Sequence, residues 1–173
     1  MSNLGRPLLL AMLVIACTLT LPACRQKASA PAVPGNPAPA ITLPDTEGRT
    51  TRLSDHAGKV VVLDFWATWC GPCKEAVGEL KVLQKKYGDR GVVIIGISVD
   101  KGGDASAKVR EFAREHGIPY LLLIDDGSSY RSYGIARVPA TFVLDRTHII
   151  RATYPGFQPG IGKLIAVDIE QLL

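Results

Sequence analysis

Hydrophobic residues follow two different periods along the chain, and the alternation between these periods predicts an α/β protein. Continuous apolar runs occupy residues 60–66, 92–99 and 120–124, and such runs are typical of strands buried on both faces. Apolar residues three and four positions apart predict helices at 72–87, after 104 and at 128–133. Two further strands at 140–144 and 148–154 precede a closing helix at 161–172.

This order of elements predicts a central mixed β-sheet that is flanked by helices. A hairpin extension is expected at the start of the domain, because residues 41–43 and 50–53 flank a turn at 45–48. We also expect a strand and a helix as an insertion into the domain directly after the helix at 72–87. Gly88 and Gly117 are predicted to end two helices, and Asp104 is predicted to cap the start of the second one.

The sequence of the first 38 residues predicts a targeting signal followed by a tether. Residues 1–23 combine a basic start with an apolar stretch, as in a secretory signal, and end before Cys24 in a sequence that resembles a bacterial lipobox. We therefore expect cleavage and lipidation at Cys24, with Cys17 as a rival site. Residues 24–38 are rich in Ala and Pro and predict a tether, which leaves 39–173 as one domain on the periplasmic or extracytoplasmic side of the membrane.

Composition excludes several other classes of protein. The net charge of +4 is modest, its basic residues are scattered and no nucleic-acid motif accompanies them, so no nucleic-acid partner is expected. Only Cys70 and Cys73 of the four cysteines belong to the predicted domain. Two cysteines are too few for a disulfide framework or a four-cysteine zinc site, so no metal site is predicted.

Cys70 and Cys73 are separated by two residues at the junction of a buried strand and a helix, and this spacing predicts a reversible disulfide. Unpaired N–H groups and the partial positive charge of the helix N-terminus favour a thiolate at Cys70. Cys70 is therefore the expected nucleophile, and the more buried Cys73 is expected to resolve the mixed disulfide. Pro72 suits the first helical turn, where its missing N–H costs nothing.

Two residues outside the pair are further candidates for catalysis. Asp64 lies in an otherwise apolar strand, where burial would raise its pKa and let it accept the Cys73 proton. Alternatively, Asp64 has no catalytic role and lies at the end of the strand, where its carboxylate contacts solvent or a lysine. Val138 and Pro139 come just before the strand at 140–144; from the residues alone, a proline at a strand start is merely permitted.

These motifs together resemble the thioredoxin superfamily, and most closely its TlpA/ResA-type branch of membrane-tethered thiol-disulfide oxidoreductases. The resemblance runs from about residue 39 to residue 172. It rests on 58–73, on 98–100, on 133–135 and on 138–142. It implies a thioredoxin-like fold, a cis-proline at Pro139 that packs against the disulfide, and backbone pairing of substrate to Val138.

We expect further substrate contacts at Trp69, Gly71 and Pro72. The sequence departs from the branch at three positions. Asp64 stands where Asn is common, and Ala76 and Gly78 stand where the branch often has Glu and Pro. Asp64 is therefore the candidate that replaces the missing glutamate as proton carrier.

The expected function is reduction of protein disulfides outside the cytoplasm, with a membrane thiol-relay protein as electron donor and no cofactor besides the Cys70–Cys73 disulfide. The Gly-Pro dipeptide between the cysteines resembles that of reducing thioredoxins. Candidate clients are the haem-attachment cysteines of apocytochrome c, as in cytochrome c biogenesis, or the copper-site cysteines of an oxidase. Alternatives are a disulfide oxidant, a peroxide-linked thiol reductase and a Cu(I) chaperone that uses the same two cysteines. Haem attachment itself is disfavoured, because Lys74 rather than His follows the pair.

Overall fold

A computed structural model describes residues 31–173, which fold around a five-stranded mixed sheet beside a two-stranded hairpin. In chain order the elements of this part are β1 (Thr42–Pro44), β2 (Thr50–Arg52), β3 (Val60–Trp66), α1 (Gly71–Tyr87), β4 (Val92–Ser98), α2 (Ala105–His116), β5 (Leu121–Ile124), α3 (Ser128–Ser132), β6 (Ala140–Leu144), β7 (Ile150–Pro155) and α4 (Ile161–Leu172).

The large sheet has the strand order β5-β4-β3-β6-β7, with β3 at its centre. β3, β4 and β5 are parallel, whereas β6 and β7 run antiparallel to their neighbours. The predicted mixed α/β sheet is therefore confirmed, and β1 pairs with β2 as the predicted hairpin. In the register of the sheet, Asp64 lies between Gly96 of β4 and Thr141 of β6.

The two faces of the sheet are covered differently. Alternate side chains of β3 point to opposite faces, as the period of a strand requires. One face packs against the apolar sides of α1, α2 and α4. The other face packs against the hairpin and against tyrosines in and after the short α3. Every residue of β3 is buried, which explains its unbroken apolar run.

Most boundaries agree with the sequence pattern, and the differences have local causes. β3, β6 and α4 have the predicted bounds, and α1 begins one residue earlier than expected. β7 begins at Ile150 rather than at 148, because His148 adopts a left-handed conformation (φ 61°) and its N–H closes a turn onto the Asp145 carbonyl.

The helices α1 and α2 end at Gly88 and Gly117, as predicted. Gly117 is left-handed (φ 57°), whereas Gly88 is right-handed (φ −53°) and the chain continues into a 3₁₀ turn. Gly91 (φ 87°) is the residue that reverses the chain there. Asp104 occupies the N-cap position of α2, but its carboxylate pairs with Lys108 at 2.8 Å and makes no cap hydrogen bond.

The segment just before the hairpin is docked rather than free. The N–H groups of Gly35 and Ala38 donate to the carbonyls of Ile150 and His148 at 2.8 and 2.9 Å, and the Ile150 N–H donates to Asn36 at 3.0 Å. The folded unit therefore extends before the predicted boundary at residue 39. Side-chain patterning did not reveal this because the contacts are made by backbone groups.

The N-terminal predictions lie mostly outside the described residues. These include the signal segment 1–23, both candidate lipidation sites, Cys24 and Cys17, and the first part of the tether. Within residues 31–173, none of the helices combines the length and the apolar character that crossing a bilayer requires.

Candidate active site

The two cysteines lie where the central strand passes into α1. β3 ends at Trp66, and a short turn follows in which the Cys70 N–H donates to the Ala67 carbonyl at 3.2 Å. Cys70 is the N-cap of α1, so its side chain sits at the positive end of the helix. Pro72 lies in the first turn, where a missing N–H leaves no partner unsatisfied.

Cys70 and Cys73 form a disulfide with a Cα–Cα distance of 5.3 Å. The two sulfurs have unequal surroundings: Cys70 retains 6% exposure, whereas Cys73 has none. The Cys73 N–H also donates to the Cys70 sulfur at 3.2 Å, and this contact would stabilise a Cys70 thiolate after reduction. The geometry thus gives one reachable sulfur and one shielded sulfur, in the predicted order.

A loop from the other side of the sheet reaches the same sulfur. The Val138 carbonyl oxygen lies 3.8 Å from the Cys70 sulfur, and the Val138–Pro139 peptide bond is cis, as the family resemblance implied. A disulfide sulfur carries no proton, so this is a van der Waals contact in the oxidised protein. Reduction would supply an S–H that can donate to the same carbonyl.

The other predicted substrate contacts surround this point. Trp69 is 70% exposed, an unusual position for so large an apolar side chain, and Gly71 and Pro72 are also exposed. Trp69 and Val138 line one cavity beside the disulfide. The structure therefore brings the four predicted contact residues together, and their role in binding substrate stays a prediction.

Asp64 is fully buried near the middle of β3, and its carboxylate has few partners. The Thr141 hydroxyl donates to Oδ1 at 2.9 Å, while Oδ2 has no hydrogen-bond partner among the described residues. Burial raises the pKa of Asp64 to about 7, against the smaller lowering effect of the Thr141 hydrogen bond. A carboxyl group with this pKa can both accept and return a proton near neutral pH.

The position of Asp64 in the sheet relates it to the disulfide. Side-chain alternation puts Asp64 on the same face of β3 as Trp66, and Trp66 packs in one cluster with Cys73. Gly96 lies opposite Asp64 in β4; a Cβ there would lie 2.9 Å from the Trp66 indole nitrogen and 3.4 Å from the Tyr120 ring. The absent side chain of Gly96 thus makes room for the rings that enclose this carboxyl group.

A second buried carboxylate, to which the sequence had given no role, holds the active-site turn. Asp100 accepts hydrogen bonds from the Thr68 N–H at 2.9 Å, the Thr68 hydroxyl at 2.6 Å and the Ser98 hydroxyl at 2.7 Å. Thr68 lies two residues before Cys70. The motif at 98–100 was part of the family resemblance, but nothing in it showed that its acid reaches a residue 32 positions earlier.

Metal ligands are not gathered in the described part of the chain. Residues 31–173 contain no group of three or more His, Cys, Asp or Glu side chains that could hold an ion. The chemistry that the arrangement supports is thiol–disulfide exchange at Cys70, followed by attack from Cys73. A central mixed sheet, an oxidised Cys-X-X-Cys pair at a helix N-terminus and a cis-proline loop against it define a thioredoxin-like protein.

Comparisons with known proteins agree with this class. The model of the AhpC/TSA family matches residues 34–153. The Bacillus subtilis thioredoxin-like protein YneN is 30% identical over 139 residues, which cover 80% of this chain and 78% of that protein. The thiol-disulfide oxidoreductase ResA of Geobacillus thermodenitrificans is 34% identical over 123 residues, which cover 70% and 69% of the two chains.

A solved structure has a similar fold. The Chlorobium tepidum protein described as a thiol:disulfide interchange protein DsbE has a TM-score of 0.74 and 29% identity, and the match covers 81% of this chain and 97% of that one. The chain belongs to the AhpC/TSA family and is a thioredoxin-like thiol-disulfide oxidoreductase of the ResA and DsbE type. The family resemblance and the enzyme class predicted from the sequence are both confirmed.

Proposed function

We propose that this protein reduces protein disulfides on the extracytoplasmic side of the membrane, where a lipid on Cys24 holds it. The observation that carries the proposal is the asymmetry of the cysteine pair. Cys70 keeps 6% exposure and has an N–H directed at its sulfur, whereas Cys73 has no exposure at all. This arrangement suits attack on an external disulfide followed by internal release.

The proposed reaction has two steps. The Cys70 thiolate attacks one sulfur of a client disulfide, and the other client sulfur leaves as a thiolate. Cys73 then attacks the Cys70–client bond, which forms the Cys70–Cys73 disulfide and releases the second client thiolate. Two electrons pass from the protein to the client, and Asp64, on the face that α1 covers, accepts the Cys73 proton in the second step.

The proposed direction of electron transfer, from this protein to its clients, also indicates which clients and which electron donor it uses. A reductant in an oxidising compartment must be reduced again after each turnover, so we infer a membrane thiol-relay protein as electron donor. The proposed clients are the haem-attachment cysteines of apocytochrome c or the copper-site cysteines of an oxidase. Support comes from the relatives named as thiol-disulfide oxidoreductase ResA and from the lipobox-like sequence before Cys24.

The direction of transfer is tested by the reduction potential of the Cys70–Cys73 disulfide, measured by equilibration with glutathione or dithiothreitol. The proposal expects a value near that of reducing thioredoxins, about −270 mV. A potential above about −180 mV, in the range of isomerases and oxidants, would overturn the reductase direction. Tight Cu(I) binding without reduction of insulin disulfides would instead identify a copper carrier.

The client is identified by trapping mixed disulfides in cells. The variant Cys73→Ser lacks the resolving thiol, so client proteins should accumulate on Cys70 and can be named by mass spectrometry. The matched control is Cys70→Ser, which retains a single thiol at the buried position and should trap none. Adducts on both variants in equal amount, or on neither, would contradict the assigned roles.

A further inference from the structure

A groove of about 890 Å³ opens beside the disulfide. Trp69 and Val138 form its end nearest to Cys70, and Val138 touches the Cys70 sulfur through its carbonyl. The opposite wall is formed by residues after β4 and by α3, including the half-buried Tyr130. A polypeptide attached to Cys70 through a mixed disulfide would have this groove next to it.

Four basic side chains line this groove, and all four are exposed: Lys101, Lys108, Arg131 and Arg137. Lys108 is paired with Asp104 at 2.8 Å. The other three take part in none of the ion pairs found within residues 31–173. The exposed Asp126 is near enough to Arg131 for their charges to interact.

Two acids in the groove wall lie beneath its surface. Asp100 and Asp125 are both buried. The Asp100 oxygens accept from Thr68 and Ser98, and the Asp125 oxygens accept from the N–H groups of Ser129 and Tyr130 at 3.0 and 3.1 Å. Their oxygens face internal donors, and the Asp100 charge acts on Lys108, which is already paired. The charged lining residues whose side chains reach solvent are therefore the four basic ones.

We propose that this groove selects clients by charge: it binds an extended segment that carries Asp or Glu side chains beside the target cysteine. Trp69 and the Val138 backbone contact the segment near the reacting sulfur, and Lys101, Arg131 and Arg137 bind its carboxylates. Complementary charge acts mainly on the rate of encounter and on the choice of partner, and salt screens it. This inference rests on the proposed reduction of protein disulfides and names the sequence chemistry that it favours.

The test uses two cysteine peptides of the same length and neutral core, one flanked by three Asp and the other by three Lys. The cysteine of each peptide is present as a mixed disulfide with neutral 2-thiopyridine. Reduced protein attacks the peptide sulfur, Cys73 then releases the peptide thiol, and the thiopyridone that leaves is followed by absorbance. The expected result is a rate constant at least about tenfold higher for the Asp peptide at low salt, and a ratio near one at high salt.

Two double variants distinguish the effect of the groove cations from the effect of the net charge of the protein. Reversing two groove cations together, Arg131→Glu with Arg137→Glu, should remove or invert the preference for the Asp peptide. The matched control is Lys59→Glu with Lys163→Glu, which changes net charge equally at two exposed positions outside the groove and outside the ion pairs described above. The control should keep most of the preference.

Each remaining outcome is decisive. Equal rates for the two peptides in the unaltered protein, or equal loss of preference in both double variants, would overturn charge selection by the groove while leaving the proposed reductase intact. No release of thiopyridone from either peptide, nor from a small neutral disulfide, would overturn the proposed reduction itself and the groove inference with it.

Discussion

Two buried carboxyl groups near the disulfide have opposite surroundings. Asp64 lies in the middle of the central strand, is fully buried, and has a single donor, the Thr141 hydroxyl. Asp100 lies just after β4, is 4% exposed, and accepts three hydrogen bonds from Thr68 and Ser98. The residue type is the same and the degree of burial is similar, yet Asp64 has one donor for its two oxygens and Asp100 has three.

The difference shows how one kind of side chain serves two purposes. Burial without enough donors disfavours the carboxylate, so the pKa of Asp64 rises to about 7 and its proton becomes available near neutral pH. Burial with three donors fixes geometry instead, because each hydrogen bond holds the turn that leads to Cys70. Asp64 is therefore the candidate for moving a proton, and Asp100 is a positioning residue.

The largest predicted effect is that of Asp64→Asn on stability. The folded protein binds the Asp64 proton up to about pH 7, while the unfolded chain loses it near 3.8, so stability falls as pH rises between these values. The difference of about three pKa units between the folded and unfolded states lowers the free energy of unfolding by about 4 kcal/mol above pH 8. Because Asn cannot ionise, the variant should be more stable than the native protein by about this amount at that pH. Denaturant unfolding at pH 8 and at pH 4 measures this; a gain that is the same at both would contradict the assignment.

The same variant tests the proton role separately. Disulfide reduction by the native protein should depend on pH near 7, and reduction by Asp64→Asn should be slower by at least about tenfold and lack this dependence. A rate profile that keeps this dependence would show that another group moves the proton.

The variant Asp100→Ala should lower the stability of the protein, whereas Asp64→Asn should raise it. Asp100→Ala leaves the Thr68 N–H and two hydroxyl groups without their acceptor, so we expect a loss of about 3 kcal/mol in unfolding free energy. Denaturant unfolding measures the loss. If the variant is as stable as the native protein, the turn does not depend on this carboxylate.

Gly96→Ala tests the space around Asp64 without touching Asp100. The new methyl group would lie 2.6 Å from a Leu122 methyl carbon and 2.9 Å from the Trp66 indole nitrogen, so a neighbour must move. We expect a destabilisation of about 2 kcal/mol in thermal or denaturant unfolding. Gly78→Ala is the control: it lies in α1 with nothing within 4 Å of the added carbon, and it should stabilise by about 0.5–1 kcal/mol.

The smallest predicted effect comes from Thr141→Val, which removes the one hydrogen-bond donor to Asp64 found within residues 31–173. Because that hydrogen bond lowers the pKa of Asp64, its loss should raise the pKa above about 7, by about one unit. Carboxyl titration followed by NMR measures the shift directly. An unchanged titration midpoint would show that the Thr141 hydroxyl does not bind the ionised form.

Much of this structure could be predicted because the signals are local. The apolar run of β3 and the three- and four-residue spacing in α1 set the bounds of both elements within one residue. The positions of Cys70 and Cys73 at a helix start follow from Pro72 and from the end of the strand before it.

The remaining features depend on contacts between distant residues. The hydrogen bonds of Asp100 to Thr68 join two loops, and no periodicity in either loop encodes them. The cations of the groove come from three separate segments, so they looked scattered along the sequence. The docking of residues 35–38 relies on backbone hydrogen bonds, whose donors and acceptors every sequence possesses, and on the small Ala38 side chain.

That docking also limits how far the active site can travel. The segment runs antiparallel to β7, so it leaves the sheet edge near Ala32, which lines a cavity with Arg137 and Ala140 at the active-site end of the sheet. A fully extended chain from there to Cys24 spans at most about 29 Å. If Cys24 carries the lipid, as proposed, the disulfide works within a thin layer above the membrane surface, and only clients that present their cysteines there are within reach.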